Sequence, residues 1–133
     1  MIYYKKIKGL IELLRPELPF AAGICVIIGE IIALDGFPPV RELFLGFAWG
    51  FFLSGSAMIL NDVFDIEVDR VNVPDRPIAS RLISPTAAIV FGVVVSLLGL
   101  VASFFIGKLA VLLYVIFWVI GFSYNWKLKE RGF

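Results

Sequence analysis

Leu-Phe-Leu-Gly-Phe-Ala-Trp-Gly-Phe-Phe-Leu-Ser-Gly-Ser-Ala-Met-Ile-Leu, residues 43–60, carries no charge over eighteen positions and then meets Asn61-Asp62-Val63-Phe64-Asp65-Ile66-Glu67-Val68-Asp69. An uncharged run of that length is read as a membrane helix, because a hydrocarbon core about 30 Å thick takes roughly 20 apolar residues to cross. If the helix continues past Leu60 at about 100° per residue, Asn61, Asp62, Asp65 and Asp69 fall on one face and Glu67 points the other way. Carboxylates gathered at one place repel unless a cation lies between them. Mg²⁺ held by a few carboxylates commonly takes substrate phosphates as its remaining ligands. The plainer alternative is a solvated acidic helix end.

The rest of the chain agrees with a membrane setting. Of its 133 residues 60% are hydrophobic, and the mean hydropathy is +0.95, against roughly 45–50% apolar content in soluble domains. The expected class is an all-α integral membrane protein with spans at about 16–34, 40–69, 85–106 and 109–126. Asp35, Gly36, Pro38 and Pro39 separate the first two spans, Asn72 and Pro74 close the second, and Ser84-Pro85 reads as the cap and first turn of the third. Gly107-Lys108 is a short turn, and Tyr124-Asn125-Trp126-Lys127 suits an interface. No cleavable leader is expected, because no small-residue cleavage site closes the first apolar run. Gly46, Gly50 and Ser54, and again Ala88, Gly92 and Ser96, recur at helical spacing as packing faces. The single cysteine, Cys25, can form no internal disulfide. A net charge of +1 implies no nucleic-acid partner.

Charge is sorted by side. Four alternating spans place Lys5, Lys6, Lys8, Arg15, Arg70, Arg76, Arg81, Lys127, Lys129 and Arg131 together and leave Arg41 and Lys108 opposite. The positive-inside rule then faces the acidic cluster to the cytoplasm of a multi-pass cell-membrane protein. The loop from Arg70 to Ser84 sets three arginines beside the carboxylates, where Arg76 and Arg81 can clamp phosphate oxygens with planar forks or simply balance Asp75, Glu67 and the helix end. Glu30, within the first span, is an intramembrane acid; an outer-interface position or a pair with Arg41 is favoured over a functional role.

The spacing Asn61-Asp62-x-x-Asp65-x-x-x-Asp69 followed by Arg70-x-Asn72-x-Pro74-x-Arg76-Pro77 resembles the first aspartate-rich motif of the UbiA superfamily of intramembrane prenyltransferases. Tyr124-Asn125-Trp126-Lys127-Leu128-Lys129 resembles that family's Tyr-Ser-x-x-Leu-Lys segment. The string from Asp69 to Ile78, with Ile83-Ser84-Pro85 behind it, looks most like archaeal digeranylgeranylglyceryl phosphate synthases. The resemblance implies a nine-helix bundle that uses Mg²⁺ to transfer a prenyl group, here geranylgeranyl, from an isoprenyl diphosphate to geranylgeranylglyceryl phosphate, in archaeal ether-lipid synthesis. The alternative acceptor is an aromatic quinone precursor. It implies Asn61, Asp62, Asp65 and Asp69 as metal ligands, the three aspartates as the catalytic set, and Asn72, Arg76, Arg81, Arg15, Tyr124, Lys127 and Lys129 near diphosphate or substrate. Arg15 and the two lysines have a bland alternative, since basic residues snorkel at the ends of spans.

Family members run to about twice this length and carry a second aspartate-rich motif that this chain lacks. The chain is therefore expected to be the N-terminal half of the domain, completed by the rest of its polypeptide or by a second chain. A small membrane Mg²⁺-binding or transport subunit is the reading from another class. It would spread ionisable groups through the spans, whereas here they collect at one mouth.

Overall fold

The computed structural model describes residues 2–78 and 80–125, apart from the side chains of Ile2, Glu67 and Val68. Six helices follow one another: α1 (Ile2–Leu14), α2 (Glu17–Leu34), α3 (Val40–Phe64), α4 (Ile66–Asn72), α5 (Pro85–Ile106) and α6 (Lys108–Ser123). The middle of the bundle is α3, which packs most extensively on α5 and α2. Three helices, α2, α3 and α5, are long and apolar enough to cross a membrane. At 1.5 Å per residue they measure about 27, 37 and 33 Å. The apolar helix α6 is shorter, with 16 residues, or about 24 Å. Trp126, the expected end of the fourth span, lies outside the described residues, as do Lys127 and Lys129.

The expected boundaries of the third span are met at both ends. Ser84 Oγ accepts from the Ala87 N–H at 3.1 Å and Pro85 occupies the first turn. At the other end Gly107 adopts φ 154°. Small residues set the helix crossings. A Cβ at Gly50 would stand 2.8 Å from the Ala22 carbonyl oxygen of α2, and one at Gly92 would stand 3.2 Å from the Ile59 side chain of α3. Ala88 is fully buried in the same core.

Two expectations need correction. The second span is not one helix from 40 to 69. It closes at Phe64, and Asp65, at φ −99° and ψ 16°, joins it to α4. Asp65 N–H still reaches the Asn61 carbonyl at 3.0 Å and Asp69 N–H the Asp65 carbonyl at 2.8 Å, so these backbone groups stay paired across the break. Nor does Arg41 pair with Glu30. It donates to Glu42 Oε1 at 2.7 Å and to the Phe105 carbonyl at 2.8 Å, while Glu30 packs where Gly46 leaves room.

A helix that the sequence analysis did not assign, α1, lies against the basic end of the bundle. Leu10, Leu13 and Leu14, spaced three and four apart, share one face, and Leu13 is fully buried with Ile59, Ile78 and Ile83. Gly9 permits this approach: a Cβ there would come within 3.0 Å of Leu82 and 3.2 Å of Ile83.

A candidate diphosphate site at the end of α3

Asp62 sits in the last turn of α3 and is 2% exposed; Asp69, in α4, is 5% exposed. Carboxylates so placed demand charged partners. Two arginines from distant parts of the chain supply them. Arg15 Nη2 donates to Asp62 Oδ1 at 2.6 Å. Arg76 Nη1 donates to Asp69 Oδ1 at 3.0 Å and stands 3.7 Å from Asp62 Oδ1. Arg76 thus bridges the two acids, and the α3–α4 break is closed by an ionic clasp.

The two arginines are held by different local means. Arg15 takes a left-handed φ of 48°, which costs a non-glycine residue roughly 1–2 kcal/mol. Its N–H bonds the Ile11 and Glu12 carbonyls at 3.2 Å each, closing α1, and Pro16 opens the next helix. Arg76 lies in the turn after α4, where its N–H reaches the Val73 carbonyl at 3.2 Å. Asn61 and Asp65 are both half-buried beside this pair of acids.

Not every expected residue joins them. Asn72 ends α4 and is exposed; Tyr124 follows α6 and is 43% exposed. Arg81, itself left-handed at φ 67°, lies with Lys6 and Ser84 in a separate cleft. Asn125, which the sequence reading did not single out, is 9% exposed. It lines a cavity of about 290 Å³ between α2, α3 and α6, whose wall follows α3 from Trp49 to Leu60, the residue before Asn61. Its place within the Tyr124-to-Lys129 segment was the signal that could have found it.

No three carboxylates among the described residues are grouped to hold a metal ion. The three expected aspartates are thus not drawn together as a metal cage; Mg²⁺ commonly takes one or two carboxylates plus substrate phosphates. The hard oxygens of Asp62 and Asp69, with Asn61 and Asp65 adjacent, match that donor chemistry. A metal would share Asp62 and Asp69 with their arginines.

Apolar helices crossing at small residues, three of them long enough to span a bilayer, make this a helical protein of membrane type. The chain belongs to the UbiA prenyltransferase family, whose model matches residues 22–133. It is 36% identical over 126 residues to a digeranylgeranylglyceryl phosphate synthase of Pyrococcus horikoshii, a match covering 95% of this chain and 46% of that one. The synthase of the same name from Methanocaldococcus jannaschii is 36% identical over 105 residues, covering 79% of this chain and 37% of that one. A solved structure from work on the biosynthesis of digeranylgeranylglyceryl phosphate synthase in membranes superposes with TM-score 0.91 at 35% identity, covering 94% of this chain and 45% of that chain. The chain thus spans about half the length of the curated relatives it matches.

Proposed function

We propose that this chain forms the first half of a digeranylgeranylglyceryl phosphate synthase, which transfers a geranylgeranyl group from its diphosphate to the free hydroxyl of geranylgeranylglyceryl phosphate. One observation carries the reading: two buried aspartates bridged by arginines at the end of α3, beside an apolar cavity along the same helix. The names of the relatives favour the lipid acceptor over an aromatic one, and family membership favours an enzyme over a transport subunit.

In this reading Asn61, Asp62, Asp65 and Asp69 hold Mg²⁺, which supplies charge for the departing diphosphate. Arg15 and Arg76 then turn toward phosphate oxygens, where charge grows as the allylic carbon loses its leaving group. The Arg15 side chain is 25% exposed and held at the mouth by its clasp to Asp62, a contact it would exchange for one to a phosphate oxygen. The cavity keeps water from the prenyl chain. Asn72, Tyr124, Lys127 and Lys129 complete the substrate rim, Arg81 serves the neighbouring cleft, and α6 extends into a fourth span ending near residue 126. The remaining spans of a nine-helix bundle come from the rest of the polypeptide or from a second chain, and the site faces the cytoplasm of the cell membrane.

The test is transfer of radiolabelled geranylgeranyl diphosphate to geranylgeranylglyceryl phosphate, with and without Mg²⁺, in membranes carrying the polypeptide that contains this chain. Magnesium-dependent ether product is expected; product only with an aromatic acceptor would overturn the lipid assignment.

A further inference from the structure

Lys6 from α1, Arg81 and Ser84 from the loop, and Leu82, Ile83 and Ala87 around the start of α5 line a cleft of about 360 Å³. It differs from the clasp in the state of its cations. Arg15 and Arg76 are both engaged with aspartates, whereas neither Lys6 nor Arg81 makes an ion pair with an acid among the described residues. The two places are also apart: from Lys6 to the end of α1 at Leu14 the helix rises about 12 Å, and Arg15 follows.

Lys6, Arg81 and Ser84 are exposed at this cleft, and the fold fixes the backbones that carry them. Gly9 lets α1 approach Leu82 and Ile83 closely, which fixes Lys6 opposite the loop. The Arg81 N–H reaches the Ile78 carbonyl at 3.0 Å and the Ile83 N–H reaches the Pro77 carbonyl at 3.0 Å. Buried Ile78 and Ile83 pin that turn to the core. One wall is apolar, formed by Leu82, Ile83 and Ala87. Two cations beside an apolar wall at the start of a membrane-crossing helix match the phosphorylated headgroup of a lipid, since Lys and Arg bind phosphate as charge-assisted donors. The positive end of the α5 dipole adds to the same field.

We propose that this cleft binds the phosphate of a phosphorylated lipid, with Lys6 and Arg81 as its cations. The headgroup comes either from a bilayer lipid or from the lipid acceptor; the second source rests on the function proposed above, the first does not.

The experiment is calorimetric titration of the chain, reconstituted in phosphatidylcholine nanodiscs at low salt, with a short-chain phosphatidic acid and, separately, with inorganic phosphate. Saturable binding of the lipid is expected, weakened about tenfold or more in a Lys6→Gln, Arg81→Gln double variant through loss of two charge-assisted contacts. Lys8→Gln, an exposed lysine outside the cleft, should bind as the unaltered chain does. Equal binding by the double variant, equal weakening by Lys8→Gln, or inorganic phosphate binding as tightly as the lipid would each overturn the proposal. Displacement by geranylgeranylglyceryl phosphate would support the acceptor as the source, and saturable binding without displacement would support the bilayer. Because the readout is binding, transfer activity can fail while the cleft stands.

Discussion

The two ends of α3 carry similar charges and use them differently. At its start Arg41 and Glu42, adjacent in sequence, pair at 2.7 Å with side chains 60% and 42% exposed. At its end Arg15 and Asp62, 47 positions apart, pair at 2.6 Å with side chains 25% and 2% exposed. Exposed pairs contribute about 0–1 kcal/mol. Breaking a buried pair costs about 3–5 kcal/mol, because the charge left behind is unsatisfied. The identical chemistry therefore decorates one end and organises the other.

Substitution of Asp62 should have the largest effect. Asp62→Asn removes the partner of Arg15 and a proposed metal ligand together, so transfer should fall by about a thousandfold and the unfolding midpoint in detergent should drop. Asp65→Asn, at the junction of α3 and α4, should also abolish transfer through loss of a proposed metal ligand; transfer at the unaltered rate would remove Asp65 from the metal site. Arg15→Ala comes next, costing about 2–3 kcal/mol of stability, at the lower side of the buried-pair range because Arg15 is partly open to solvent. Arg15→Gly should recover about 1 kcal/mol of that loss, since glycine takes φ 48° freely; denaturant titration of both variants measures the difference. Chelation of divalent ions should stop transfer yet leave the melting curve of the chain nearly unchanged, because Asp62 and Asp69 keep arginine partners without metal. The smallest effect belongs to the other end: Arg41→Ala should shift stability by less than about 1 kcal/mol and leave transfer intact.

Local signals carried the membrane helices. Ser84-Pro85 and Gly107 bound α5 at the expected residues, and apolar runs marked α2 and α3, because capping and hydropathy act within a few residues. The break at Asp65 was not legible, since Asp65 keeps its i−4 hydrogen bond and the break is closed by Arg76, a residue beyond α4. In the site, the aspartates and Arg76 were readable from spacing. Arg15 entered only through resemblance, because its reach to Asp62 depends on the left-handed turn between α1 and α2. Arg81 parted from the cluster by a similar turn, at a position where no glycine announces a positive φ. The lysines of α1 drew attention to membrane topology and hid the Leu10, Leu13, Leu14 spacing that makes the segment a docked helix.

That docking has a consequence for the order in which the protein is made. Leu13 rests on Ile78 and Ile83, and Arg15 on Asp62 and its neighbour Arg76. Every one of these partners is translated long after α1 has left the ribosome. While a chain is synthesised its earlier segments settle first only if their contacts already exist. Here α1 can dock only once the loop after α4 has emerged, so it takes its place after α3 and α4 have been made.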